Sequence, residues 1–218
     1  MTINNKNFET ILSSNFSDQF SINALNSIIT GHDAFLRFKK ENESFLSFEG
    51  KEVTACGHLR TLAIEKAFYF SSLNQITTTF HVSFLEVNNF HHKVLCIQTD
   101  DFIVNISRNM NPKKLPNASK YRVRFAEANG YWDNQLSFGL FNDFQEITSP
   151  PYYGIITYDF EHDSLAHAQL LIPDKNYKNS QYSINLMKTT ANSEYYEKEN
   201  NKEEMIINIK KELIKEIL

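Results

Sequence analysis

The chain has 218 residues, of which 41% are hydrophobic and 22% charged, and its formal net charge at pH 7 is −4. These values are ordinary for globular proteins and exclude the collagen-like, disulfide-scaffold and wholly disordered classes. Phe (18) and Tyr (10) are abundant whereas Gly (6) and Pro (5) are scarce, which favours β-strands and disfavours a glycine-rich phosphate loop.

Helices are predicted in the first third of the chain. The apolar residues that recur there at helical spacing are Phe20, Leu25, Ile28 and Ile29. This pattern stops at Gly31, which we expect to cap the helix at its C-terminus. A second helix is predicted from about Glu52 to Leu73, with one apolar face towards the core.

The period then changes from 3.6 to 2, which predicts a series of short strands. They cover residues 80–84, 94–97, 102–106, 121–125, 136–141, 152–159, 165–172 and 182–186. The polar residues 100–101 and 160–164 predict two hairpins. Strands without intervening helices indicate an α+β fold, with N-terminal helices, a central, mainly antiparallel sheet of about six or seven short strands and a C-terminal amphipathic helix.

The predicted domain organisation is a single α+β domain over residues 1–190, a linker over 191–201 and a helix over 202–218. That helix has a broad apolar face, which must be covered by something. It either packs on the sheet or docks on a partner, including a second copy of the chain. The candidate interface residues are Ile206, Ile209, Leu213 and Ile217.

A concentrated basic segment is the main functional signal. Residues 107–125 contain six basic residues and no acidic residue, so the rest of the chain carries a net charge of −10. The six are Arg108, Lys113, Lys114, Lys120, Arg122 and Arg124. The predicted strand over 121–125 would place three cations in a row on one face and anchor Tyr121, Val123 and Phe125 to the core on the other. Lys113 and Lys114 would lie in an adjacent loop bracketed by prolines.

Phosphate groups are the expected ligands of such a row of cations, so we interpret the segment as a nucleic-acid or polyphosphate contact surface. Trp132 is a candidate for stacking on a base. Ser107, Asn105, Asn109 and Ser119 would add hydrogen bonds to phosphate. Two alternatives remain open: the cations pair with carboxylates of the chain itself, or they dock on an acidic protein.

Catalytic signals are weaker. His81 with the pair His91–His92, and the polar residues from Asp159 to His167, contain side-chain types that bind metals. Glu49-Gly50-Lys51 matches half of a nuclease-type Mg²⁺ site. Cys56 and Cys96 have neither metal-ligand spacing nor a disulfide pattern. The sequence lacks the P-loop, the dinucleotide fingerprint, H-E-x-x-H and G-x-S-x-G.

These observations favour a non-enzymatic binding or regulatory protein without cofactor, acting on DNA, RNA or an acidic partner. One alternative is a metal-dependent nuclease of toxin or phage-defence type that uses Mg²⁺, and the other is an adaptor that oligomerises through its C-terminal helix. The abundance of Asn, Lys and Ile suggests a bacterial or mobile-element origin. The cysteine usage and the absence of a signal peptide or long apolar run predict a cytoplasmic location away from membranes.

Overall fold

The computed structural model describes residues 5–43, 52–73, 79–87, 93–130, 151–188 and 199–217. Within these ranges the helices are α1 (Asn5–Asn15), α2 (Asp18–Glu41), α3 (Glu52–Leu73), α4 (Lys120–Ala126) and α5 (Glu199–Ile217). The strands are β1 (His81–Glu86), β2 (Lys93–Gln98), β3 (Phe102–Arg108), β4 (Tyr152–Glu161), β5 (Ser164–Pro173) and β6 (Ser180–Asn185). A short 3-10 helix, Glu127–Gly130, follows α4.

The six strands form one sheet in the order β1-β2-β3-β4-β5-β6. Neighbouring strands are antiparallel, except that β3 and β4 are parallel. Both predicted hairpins are present, and at the β4–β5 turn His162 and Asp163 adopt positive φ angles of 48° and 62°, as in the tight turns that join antiparallel strands. The structure therefore confirms the predicted α+β fold. The predicted strand over 136–141 lies outside the described residues.

Helices α1, α2 and α3 cover one face of the sheet. Their apolar side chains join those that β2–β5 direct to that face in the largest hydrophobic cluster, whose fully buried members include Phe20, Ile28, Phe68, Phe102 and Ile156. The N-terminus of α2 is capped by Ser17, whose hydroxyl accepts a hydrogen bond from the backbone N–H of Phe20 at 3.3 Å.

The prediction that Gly31 ends this helix is wrong, because α2 continues through it to Glu41. Gly31 lies where α2 crosses α3, and a Cβ atom there would stand 2.4 Å from the Cα of Ile64. This glycine therefore permits two helix backbones to approach closely, so its missing side chain serves packing and not a turn.

Helix α5 packs on α2 and α3 on the side away from the sheet. Three predicted interface residues, Ile206, Ile209 and Leu213, are buried there against Phe35 and Phe38 of α2 and the apolar face of α3. They are covered by their own chain, but by α2 and α3 and not by the sheet as one alternative had it, so these three side chains are not exposed to a partner. The Ile217 side chain is not among those described. Helix α5 begins at Glu199, inside the predicted linker, whose residues 191–198 are not described.

None of the described helices is both long and apolar enough to cross a membrane.

The opposite face of the sheet is covered at its centre by the connection from β3 to β4. Parallel pairing of these strands requires a crossover, and residues 109–130 of it pack on Tyr153 and Ile155, which point away from the helical layer. Tyr121 joins a smaller cluster with Val94, Cys96 and Ile103. The fold thus places α4 and the loop before it, with the basic residues from Lys113 to Arg124, on the face opposite to α1–α3.

Candidate nucleic-acid interface

The loop that follows β3 holds Lys113 and Lys114 outward. The Asn109 side chain donates to the carbonyl of Lys114 at 2.6 Å and accepts from the backbone N–H of Asn111 at 3.2 Å. The Asn111 side chain in turn accepts from the backbone N–H of Lys113 at 3.0 Å. These local bonds satisfy the backbone of the loop, while both lysine side chains remain exposed, as the sequence predicted.

The prediction of a strand over 121–125 is wrong: these residues belong to α4. The helix begins after Ser119, whose hydroxyl accepts from the backbone N–H of Arg122 at 3.4 Å. Residues four apart share one face of a helix, so Tyr121 and Phe125 both turn to the sheet, where the Phe125 ring lies 5.3 Å from that of Tyr153.

The predicted row of three cations therefore does not form. Lys120 and Arg124 lie one turn apart on the exposed side of α4. Arg122 is half-buried and serves the fold: its guanidinium donates to the carbonyl of Asn117 at 2.8 Å and to the Ser107 hydroxyl at 3.0 Å. It also lies 5.6 Å from the centre of the Tyr121 ring. The structure thus assigns Arg122 to the attachment of α4 and its loop to β3.

Arg108 is also removed from the predicted surface. Its Nε donates to the carboxylate of Asp159 on β4 at 2.7 Å, which neutralises it. Asp159 lies 51 residues away in the sequence, and the parallel pairing of β3 with β4 brings the two together.

The polar side chains that we expected to bind phosphate are occupied within the fold. Asn105 is buried and donates to the carbonyl of Leu95. Ser107 accepts from Arg122, while Asn109 and Ser119 fix the loop and cap α4. The cationic side chains are therefore the groups that remain for a ligand.

A further cation comes from the turn between β5 and β6, which the sequence analysis did not identify. The carboxylate of Asp174 accepts from the backbone N–H groups of Asn176, Lys178 and Asn179 at 2.9–3.1 Å. Although desolvation acts in the opposite direction, these bonds lower the pKa of Asp174 and keep the turn closed.

Tyr177 joins this turn to the loop after β3. It has a left-handed φ of 56°, its ring is buried, and its hydroxyl donates to the carbonyl of Pro116 at 3.1 Å. Lys178 consequently lines the same open groove, of about 550 Å³, as Lys113 and Lys114. The signal for this arrangement is tertiary, because no local pattern links residue 177 with residue 116.

We call Lys113, Lys114, Lys120, Arg124 and Lys178 the basic surface. All five side chains are exposed, and within the described ranges none has a carboxylate oxygen within 4.0 Å. A second shallow groove, of about 560 Å³, runs beside α4 and includes Glu127 as well as Lys120 and Arg124. Among the described residues, internal neutralisation is therefore found at Arg108 and at none of the five cations of the basic surface.

The other candidates have mixed outcomes. Trp132, the pair His91–His92 and Glu49-Gly50-Lys51 lie outside the described residues. No group of three or more potential metal ligands occurs within the described parts of the chain, which removes the metal interpretation of Asp159 to His167.

Comparison with known proteins yields no match to any family model, to any curated protein or to any solved structure.

Proposed function

We propose that this chain is a non-enzymatic binding protein that contacts nucleic acid through the basic surface. The observation that supports it best is that two separate segments, residues 113–124 and residue 178, display five cations that have no ion-pair partner among the described residues. Unpaired cations grouped on one face are the expected footprint of a protein that binds a phosphate backbone.

The charge distribution supports a polyanion as the ligand. Apart from the basic surface, the chain's other 17 basic residues stand against 26 acidic ones, a net charge of −9. The net negative charge of the rest of the chain disfavours approach of a polyanion from other directions, so it helps to orient the ligand that the basic surface attracts.

The side-chain types favour contacts to phosphate over contacts to bases. Four of the five cations are lysines, which act as compact, mobile point charges and not as planar bidentate donors. Binding of this kind depends on the backbone, so we expect little sequence preference and a strong dependence on salt. The proposal includes a cytoplasmic, bacterial or mobile-element setting, which rests on the cysteine usage and the composition.

Charge reversal tests the proposal. The variant Lys113→Glu with Lys114→Glu should bind fluorescent single- and double-stranded DNA and RNA at least tenfold more weakly than the parent chain. Lys40→Glu with Lys211→Glu is the matched control, because it makes the same charge change at exposed sites in the helical layer, away from the basic surface. The control should retain most of the affinity.

Equal losses in the two variants would show that net charge alone acts, and absence of binding by the parent chain would exclude nucleic acid as the ligand. Binding to acidic polypeptides but not to nucleic acid would establish the acidic-protein alternative instead. Cleavage of the probes with Mg²⁺ that EDTA stops would establish the nuclease alternative.

A further inference from the structure

A second polar cluster lies on the helical side of the sheet, where β3 and β4 end beneath α2 and α3. We call it the Arg60 cluster, and its members are His32 of α2, Arg60 of α3 and Tyr158 of β4. Two phenylalanines join the three side chains. The Phe160 ring lies 3.6 Å from that of His32 and 6.0 Å from that of Tyr158, and the Phe35 ring lies 6.4 Å from that of His32 and 5.0 Å from the Arg60 guanidinium. Arg108, which the fold removed from the basic surface, lies at its edge.

The cluster contains buried polar atoms that make no hydrogen bond of full geometry. His32 is 2% exposed and Tyr158 fully buried. The imidazole lies near the backbone of Asp163 and the phenol near the Thr61 side chain, yet neither contact has hydrogen-bond geometry. The Nε of Arg60 is buried and unpartnered as well. Buried polar groups in folded proteins are nearly always hydrogen-bonded, so four such atoms in one place indicate a missing partner.

Charge is also unbalanced there. The half-buried guanidinium of Arg60 lies 5.0 Å from the centre of the Phe35 ring and has no carboxylate within 4.0 Å among the described residues. Burial and then the nearby charge of Arg108 lower the pKa of Arg60. Arg108 itself is already paired with Asp159. The charge of Arg60 is therefore not paired directly with any described carboxylate, and Asp163 and Asp159 act on it only from a distance.

The protonation states make every member a hydrogen-bond donor. Burial, with a smaller contribution from Arg60, lowers the pKa of His32 to about 4, so the ring is neutral at pH 7 and carries one N–H. Burial raises the pKa of Tyr158 to about 12, so its phenol keeps its proton. A guanidinium, an imidazole N–H and a phenol O–H together complement an oxyanion, whereas a metal cation would be repelled by two arginines.

We propose that His32, Arg60 and Tyr158 bind a small oxyanion, a phosphate or a carboxylate group, at this end of the sheet. The β4–β5 turn forms the rim, and its Asp163 carboxylate lies 3.9 Å from Nε2 of His32 while remaining largely exposed. That carboxylate competes with an incoming anion, together with Asp33 and Asp159, whose charges also reach the cluster. The site is separate from the basic surface and does not depend on the proposed function.

Calorimetric titration and thermal unfolding of the full chain test the site, with inorganic phosphate, sulfate and acetate as probes at constant ionic strength and pH 7.5. At ten times its Kd, a bound anion should raise the Tm by about 3 to 6 °C. Phosphate or sulfate acting alone would identify a tetrahedral oxyanion site, and acetate acting alone a carboxylate site.

Four variants test which residues the effect depends on. Arg60→Gln should abolish the saturable effect, while Asp163→Asn should strengthen binding several-fold because it removes the competing charge. Tyr158→Phe deletes an oxygen that makes no hydrogen bond of full geometry, although Thr61 lies near it. This variant should fold and should weaken binding several-fold. Lys113→Gln with Lys114→Gln should leave the effect unchanged. No saturable effect of any probe on the parent chain, or the same Kd in Tyr158→Phe and Arg60→Gln as in the parent, would overturn the proposal.

Discussion

Two arginines two residues apart on α4 are assigned opposite roles by the structure, and their substitution tests the geometry of the basic surface. Arg122 holds the helix and its loop on the sheet through Asn117 and Ser107, whereas Arg124 is exposed without a partner among the described residues. The two substitutions Arg122→Gln and Arg124→Gln remove the same charge. The two variants should therefore differ only in the contacts that each one loses with its guanidinium.

The magnitude for Arg122 follows from its contacts. It loses two charge-assisted hydrogen bonds, of 2.8 Å and 3.0 Å, each worth about 1.5 to 3 kcal/mol where water is excluded. One of these bonds is exposed, so the discounted total is about 2 to 3 kcal/mol, which corresponds to a Tm lowered by roughly 5 to 10 °C for a chain of this size. Arg124→Gln should change the free energy of unfolding by less than about 0.5 kcal/mol.

Binding should show the reverse ranking. The assay is fluorescence anisotropy with labelled single-stranded and duplex DNA at several salt concentrations. Loss of one phosphate contact in Arg124→Gln should reduce the slope of log K against log salt by about 0.7 for single strands and about 0.9 for duplex. Arg122→Lys keeps the charge but not the planar fork, so it should be destabilised with an unchanged slope below its Tm. A destabilised Arg124→Gln, or an Arg122→Gln as stable as the parent, would refute this assignment.

Three further predictions concern the scaffold. Gly31→Ala should destabilise the chain by about 1 to 3 kcal/mol, because its Cβ would stand 2.4 Å from the Cα of Ile64. Gly57→Ala is the control: no heavy atom lies within 4 Å of its Cβ, so it should stabilise the chain by about 1 kcal/mol. Equal effects of the two substitutions in urea denaturation would contradict the close crossing of α2 and α3. Burial raises the pKa of Glu65 to about 7. Its contribution to the free energy of unfolding is therefore full below pH 4.5 and is lost as the pH rises through 7. Between pH 4 and pH 8 the free energy of unfolding of Glu65→Gln should rise by up to about 3 kcal/mol relative to that of the parent chain. Ile209→Ala should lower the free energy of unfolding by about 2 to 5 kcal/mol in urea denaturation, because the residue is fully buried between helices. A decrease below about 1 kcal/mol would imply that α5 does not pack as described.

The sheet was predictable because its signals are local. In β1, β4 and β5 the alternation or continuity of apolar residues indicates whether one or both faces of the strand are buried. The polar turns at 100–101 and 161–163 separate strands that pair directly. Each hairpin therefore follows from residues adjacent in sequence. The parallel pairing of β3 with β4 is not local, because the connection between them is 43 residues long (109–151).

The error at α4 has a physical explanation. Apolar residues at 121, 123 and 125 alternate as in a strand, but positions 121 and 125 are also one helical turn apart, so five residues fit both periods. The Ser119 side chain and the strong helix formers Lys, Arg and Ala were the signals for a helix. Of the six cations that were grouped from the sequence, Arg108 and Arg122 are engaged within the fold, and ligand binding by the other four stays a prediction.

Partners of individual charges depend on tertiary structure. Nothing near Arg108 in sequence indicates Asp159, and nothing near Lys114 indicates Lys178, which lies 64 residues later. Gly31 shows the same limit: a glycine followed by a polar residue fits a helix end, and only the position of α3 reveals that it is a packing contact.

The energetics of α4 separate the part of the basic segment that the fold needs from the part that it does not. A helix of seven residues is too short to be stable alone, so α4 depends on the packing of Tyr121, Val123 and Phe125 and on the bonds of Arg122. Lys120 and Arg124 add nothing to these contacts. As like charges one turn apart they destabilise the helix by about 0.2 to 0.5 kcal/mol, and Lys113, Lys114 and Lys178 add to the same positive field. Repulsion among these cations therefore lowers the stability of the fold, and no contact among the described residues offsets it. Binding of a polyanion is the interaction that would offset this repulsion.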